Sequence, residues 1–174
     1  MEALAFWKAV TMDRSNFLDH LITLLKENSI RFCIIDVPAV NAYVEPLVSL
    51  DLVVVVAVEQ IEQVRRLLKP RFNIEEFSHS LNVAAPASDL RVQIQTDPRY
   101  GEFLKRASTR DVLGLPLPVA SIEDVLQGKI WAATDPQRRP TKRRKDLLDI
   151  ERLIQAHPYL TALIPEPILT QISG

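Results

Sequence analysis

Apolar side chains recur at helical spacing from residue 15 to 28, where Phe17, Leu18, Leu21, Leu24 and Leu25 share one face. That period predicts an amphipathic helix, with Ser15 or Asp13 available to cap it. The pattern then changes. "RFCIID" (31–36) is a short continuous apolar run and reads as a buried strand. "PAVNAY" (38–43) gives one or two helical turns, which Pro38 can open and Glu45-Pro46 ends. From Leu52 to Val58 almost every residue is β-branched and apolar, as in a strand covered on both faces. Helical spacing returns in "EQIEQVRRLLK" (59–69) through Ile61, Val64 and Leu68, and Pro70 stops it.

Three short extended pieces follow, "FNIEEF", "SLNVAA" and "LRVQIQ". The last alternates Leu90, Val92 and Ile94 with Arg91, Gln93 and Gln95, so one face of that strand is polar. A short helix is expected around Phe103 to Ala107, and "RDVLGLPLPVA" (110–120) reads as a turn between two extended pieces. The remainder is helical. Ser121 and Asp124 form a capping pattern ahead of "VLQGKIWAA", the Pro-rich basic stretch "TDPQRRPTKRR" (134–144) reads as a link, and "KDLLDIERLIQA" carries a stripe of Leu147, Ile150, Leu153 and Ile154. Pro158 and the pair Pro165 and Pro167 punctuate the tail. This order predicts an α/β (α+β) protein. Residues 1–119 form the sheet-bearing core, and 120–174 form a C-terminal helical segment packed on it as one compact unit.

Composition adds little to that picture except through charge. A chain of 174 residues with 47% hydrophobic and 25% charged content can build one sizeable core. The single cysteine, Cys33, lies in an apolar run, so an intramolecular disulfide is excluded and a buried structural thiol is expected. No basic leader precedes an apolar stretch at the N-terminus, and no apolar run approaches the roughly 20 residues of a membrane span, so a cytoplasmic protein with no membrane partner is expected. His20, His79 and His157 lack the close spacing of a zinc site, and Trp7 and Trp131 read as packing residues. Charge, by contrast, is uneven. Residues 129–145 carry +6 and the rest of the chain −7, for a net −1. Such a segment is either a solvated face or the seat of an anionic ligand.

One acid stands out against this background. Asp51 opens the buried run "DLVVVV" at a strand end, where sites collect in α/β sheets, but the position two residues on is Val53. Together, "FCIIDVPAVNAYVEPLVSLDLVVVV" and "GKIWAATDPQRRPTKRRKDLLDIERLI" resemble the nucleotidyltransferase superfamily, in particular the small bacterial minimal-nucleotidyltransferase and abortive-infection toxin type. The resemblance covers most of the chain. It implies a small mixed sheet with flanking helices, and transfer of NMP from an NTP to a protein, RNA or small hydroxyl acceptor with release of pyrophosphate. Two Mg²⁺ ions held by carboxylates would serve that chemistry.

In that family a Gly-Gly or Gly-Ser turn opens a short helix, the next strand carries Asp-x-Asp, and a later strand carries a third carboxylate. Here Asp36 and Val37 stand at the glycine positions, Ser49 at the usual Thr, Asp51 at the first Asp and Val53 at the second. The third position falls on "LRVQIQ", where Gln93 and Gln95 offer only neutral oxygens, poor ligands for Mg²⁺. Asp36 also brings an anion to the phosphate turn. Two like charges about 4 Å apart repel by roughly 1 to 4 kcal/mol at effective dielectrics of 80 to 20. By resemblance, Lys129 is a catalytic lysine near the phosphates, and the pair Lys145-Asp146 belongs to the nucleotide site with Asp36 and Ser49. Asp146 and Asp149 have a second reading, as partners of basic neighbours that tie the helices together.

Three functions are therefore in play. In the first, the metal site is degenerate and transfer is weak or lost. In the second, Asp51 with Asp36 as substitute ligand still holds a metal for an active enzyme. In the third, the chain binds RNA or a protein through the basic segment 138–145, with Arg138, Arg139, Arg143 and Arg144 at the cleft mouth or on phosphates.

Overall fold

The computed structural model describes residues 16–112 and 114–173; Asp13, Ser15 and Trp7 lie outside them. The elements follow the hydrophobic pattern closely. Helix α1 (Phe17–Glu27) buries Phe17, Leu18, Leu21, Ile22 and Leu25, and strand β1 (Phe32–Ile35) is buried throughout. A short helix α2 (Asp36–Val40) leads to β2 (Asp51–Val56), of which only Asp51 is exposed. Helix α3 (Ile61–Leu68) follows a 3₁₀ turn at Val58–Gln60, so the apolar run leaves the sheet two residues earlier than its composition suggests. Strands β3 (Asn73–Phe77), β4 (Ser80–Ala84) and β5 (Arg91–Gln95) come next, then α4 (Phe103–Arg106) and the hairpin β6 (Ser108–Val112) and β7 (Leu115–Val119). The chain ends in α5 (Ile122–Thr134), α6 (Pro140–Ala156) and α7 (Glu166–Ser173).

The stretch expected as a link is shorter than its composition implies. Helix α6 begins at Pro140, not at Lys145. Proline suits the first helical position because its missing N–H has no intrahelical partner there and its φ is already helical. Half of the basic "TDPQRRPTKRR" stretch is thus the first turns of a helix.

The seven strands make one mixed sheet in the order β3-β4-β5-β2-β1-β7-β6. At its centre β1 runs antiparallel to β2, with Ile35 opposite Val53, and parallel to β7 through Ile34 and Val119. Strand β2 pairs parallel with β5. Central strands covered on both faces need apolar side chains pointing both ways, which is why Val53 to Val56 are all buried. One continuous cluster of buried residues runs from Phe17 to Ile168 and takes in Ile122, Ile150, Leu153 and Leu160. Helices α5 and α6 pack on each other, and α2 touches both. That three-way contact brings the turn after β1 against the C-terminal helices. Cys33 is fully buried, and burial pushes its thiol up to about 12, as befits an inert core sulfur.

Candidate functional site

Two sheet registers build the site. Because β1 and β2 are antiparallel neighbours, the end of β1 and the start of β2 meet at the same edge of the sheet. Because β2 and β5 are parallel and in register, Asp51 faces Arg91, Val53 faces Gln93 and Val55 faces Gln95. Successive side chains alternate faces, so Val53, Gln93 and Gln95 point to one side while Val92 and Ile94 go into the core. With Asp36, Lys129 and Arg138 they line a cleft of about 90 Å³. That is small beside the roughly 300–1,000 Å³ of pockets that take drug-sized ligands.

Asp36 closes the end of β1 with φ 63°, a left-handed backbone conformation. Aspartate visits this region more readily than most residues, but glycine does so without cost. The turn therefore keeps a glycine-type backbone under an aspartate side chain. That side chain is one-third exposed and bonds the Lys129 ammonium.

Lys129 reaches the cleft from α5, whose first turn is capped by Ser121 Oγ accepting from the Asp124 N–H at 3.2 Å. Its side chain is 5% exposed, and three carboxylates converge on its nitrogen. Besides Asp36 these are Asp146 Oδ1 at 3.3 Å and Asp149 Oδ2 at 2.9 Å, both on α6. The Asp149 contact is ionic and falls outside hydrogen-bonding geometry. Arg138 donates through Nε and Nη2 to both oxygens of Asp146, at 2.8 and 3.0 Å. Arg152 donates to Asp149 Oδ1 at 2.8 Å and ties the chain before β2 through Asn41 Oδ1 at 3.0 Å and the Glu45 carbonyl at 2.7 Å. Three cations thus meet three anions, and the cluster is neutral.

The protonation states follow from this arrangement. Burial alone would push the Lys129 ammonium down, but Asp36, Asp149 and Asp146 outweigh it and hold the group above the ordinary lysine value. Burial would likewise raise Asp36, yet Lys129, with help from Arg138 and the Val37 N–H, keeps it below the usual carboxylate range.

The residues singled out from the sequence therefore divide. Asp36, Lys129 and Asp146 come together in the cleft. Asp51, Ser49 and Lys145 are not among its lining residues. Asp51 is exposed and paired with Arg91 Nε at 2.7 Å. Ser49 Oγ accepts from the Asp51 N–H at 3.1 Å and donates to the Asp51 carbonyl at 3.2 Å, fixing the start of β2. Lys145 is exposed on the flank of α6. Of the four arginines expected at the cleft mouth or on phosphates, Arg138 is spent on Asp146, and Arg143 holds the carbonyls of Ala133 and Asp135 at 3.1 and 2.7 Å, closing the α5–α6 turn. Among the described residues no group of three or more His, Cys, Asp or Glu side chains is placed to hold a metal ion. His20 and His79 are exposed, and His157 shares a 3.1 Å hydrogen bond with the Tyr43 carbonyl. Trp131 is half-buried and stacks on Phe103.

Sequence reasoning missed Arg152 and Arg91. The i, i+3 spacing of Asp149 and Arg152 on a helix was a usable signal. The pairing of Arg91 with Asp51 had none, because it depends on strand register.

A family model described as nucleotidyl transferase AbiEii toxin, type IV TA system, matches residues 13–170. No curated protein matches the sequence. Among solved structures, the chain is similar to ANT(2'')-Ia in complex with adenylyl-2''-tobramycin, at 14% identity and TM-score 0.56, covering 91% of this chain and 94% of that one. It is also similar to the lincosamide antibiotic adenylyltransferase LnuA, lincomycin-bound, at 12% identity and TM-score 0.54, covering 80% and 95%. A third likeness is to an antigenic nucleotidyltransferase-like protein from Paracoccidioides brasiliensis, at 17% identity and TM-score 0.50, covering 78% and 73%. At these identities the likeness is one of fold. Among the described residues no helix is long and apolar enough to cross a membrane.

Removing the lysine should expose its role. Lys129→Met leaves three carboxylates without their shared cation and is expected to cost about 3–5 kcal/mol in urea unfolding, the range for breaking a buried ion pair. Stability should also depend on pH from both ends. Asp36, lowered in the folded state, contributes fully above its unfolded value near ~3.9 and loses that contribution as pH falls below it. Lys129, raised in the folded state, contributes fully below its unfolded value near ~10.4 and loses it as pH rises beyond. Unfolding free energy measured from about pH 3 to 11 should plateau between these values, and Asp36→Asn should flatten the acid limb and also shallow the alkaline limb, because Asp36 is the foremost charge holding Lys129 protonated.

Proposed function

The chain belongs to the AbiEii nucleotidyltransferase toxin family, and from that membership we propose a nucleotidyltransferase fold whose metal centre is dismantled, so that NMP transfer from an NTP is weak or lost. The observation that carries this reading is the register of Val53 against Gln93 at the cleft. A two-Mg²⁺ centre needs several anionic oxygens on that face to offset four positive charges. These positions offer a hydrocarbon and a neutral amide. The residues present do not fit the two metal ions that the family chemistry uses.

The remaining acids support the same conclusion. Asp51 is engaged by Arg91, and Asp36 by Lys129. A metal shared between Asp36 and Asp51 would have to displace both cations, which speaks against the reading of an active enzyme with Asp36 as substitute ligand. Lys129, expected near the nucleotide phosphates, already has three carboxylates around it.

A second reading has its own support. Arg139, Lys142, Arg144 and Lys145 are exposed along the first turns of α6 and make no ion pair among the described residues. Four unspent cations on one helical segment suit contacts to a polyanion backbone, with RNA as the partner and no base readout.

Calorimetric titration of ATP, GTP, CTP and UTP in Mg²⁺ or Mn²⁺ should show no tight metal-dependent binding. Saturable binding of any of them would defeat the degenerate-site reading, whereas a Val53→Asp, Gln93→Asp double variant should gain Mn²⁺ binding. For the second reading, RNA binding should weaken steeply with salt and disappear when Arg139, Lys142, Arg144 and Lys145 are all changed to Gln. A failure to bind RNA at low salt removes it.

A further inference from the structure

The cleft has the lining of an anion site with an anion already in it. Two cations face it, Lys129 and Arg138, together with Asp146 and the side chains of Gln93 and Gln95, the latter accepting from the Asp97 N–H at 3.1 Å. Arg138 uses Nε and Nη2 on Asp146, which leaves Nη1 without a partner among the described residues. Three carboxylates neutralise Lys129, but they are not alike. Asp146 and Asp149 are 2% and 5% exposed and belong to α6, where Arg138 and Arg152 also hold them. Asp36 comes from the other wall of the cleft, is 32% exposed, and has Lys129 as its one ion-pair partner among the described residues. It sits there on a backbone at φ 63° that glycine adopts more easily.

Taken together, we propose that the Asp36 carboxylate is an intramolecular plug, occupying the anion position of the Lys129–Arg138 cleft and excluding phosphate from it. This rests on the degenerate-site reading and adds a second block, on the phosphate side, to the loss of metal ligands. Withdrawing Asp36 leaves three cations, Lys129, Arg138 and Arg152, against two carboxylates, Asp146 and Asp149. The cleft becomes cationic by one charge, with the side chains of Gln93 and Gln95 on its wall. A small oxyanion of the phosphate or pyrophosphate kind has the charge and the acceptor oxygens to take that place. Lys129 keeps two of its three partners, and glycine at position 36 relieves the left-handed backbone, so the fold is expected to survive.

The test uses the full chain in EDTA, so that no metal contributes. Asp36→Gly and Asp36→Asn are titrated with inorganic phosphate and with pyrophosphate by calorimetry and thermal shift, with sodium chloride at matched ionic strength as the control. Both variants should bind saturably, about fivefold or more tighter than the unaltered chain, since removing a like charge a few ångströms away is worth about that factor even at the dielectric of water. Adding Arg138→Ala to Asp36→Gly should abolish the gain. The proposal is overturned if both variants keep the native circular dichroism but bind no better than the unaltered chain, or if the unaltered chain binds equally well. Loss of the fold in both variants would also overturn it, because Asp36 would then be a strut and not a plug. Metal-dependent nucleotide binding by the unaltered chain bears on the degenerate-site reading alone and leaves this outcome separate.

Discussion

A single buried ammonium holds the two halves of this molecule's site together. Lys129 stands on α5, two of its carboxylates on α6, and the third on the turn that ends β1. An uncompensated charge so deeply buried is untenable. Asp36, Asp146 and Asp149 share the compensation, and Arg138 and Arg152 balance the two acids in excess, so the cluster closes without residual charge. The consequence is geometric as well as electrostatic: α2, α5 and α6 must meet at one point, and the cleft is whatever space that meeting leaves beside β2 and β5.

That arrangement lets a nucleotidyltransferase fold stand on a cleft lined by Val53 and Gln93. The sheet is held by apolar side chains of β1 and β2, two of which, Ile35 and Val53, also line the cleft. Valine at position 53 costs the sheet nothing, since it buries well in a central strand. On the reading proposed above, it puts a hydrocarbon where a metal centre would need a carboxylate. Gln93 across from it is similarly benign to the fold and similarly poor as a ligand. Position 53 shows how fold and chemistry separate: a valine there satisfies the core and offers the cleft only hydrocarbon.

The basic segment shows how misleading a charge count can be before contacts are known. Read as a run, residues 138–145 form one cationic patch. In the fold they divide by task. Arg138 neutralises Asp146, Arg143 satisfies carbonyls at the end of α5, and Arg139, Lys142, Arg144 and Lys145 remain in solvent. The patch available to a partner is therefore smaller than the sequence suggests. It sits on a helix and not on a loose link, because Pro140 starts α6 early.

Much of this protein could be read from its one-dimensional pattern. The alternation in "LRVQIQ", the apolar run after Asp51 and the helical stripes of α1 and α6 each express a local period, and a local period survives into the fold because each element must bury its apolar face. The face taken by Val53 was legible for the same reason: the position two residues after Asp51 in a strand lies on the same face whatever surrounds it. What the sequence could not give was partnership. Lys129 and Asp36 are 93 residues apart, and Asp51 meets Arg91 only because β2 and β5 align in one particular register. Residue types and spacing state what each side chain is able to do. Whether a carboxylate waits for a metal or is already neutralised by a lysine depends on charges brought within a few ångströms by chain segments far apart in sequence, and only the tertiary structure decides that.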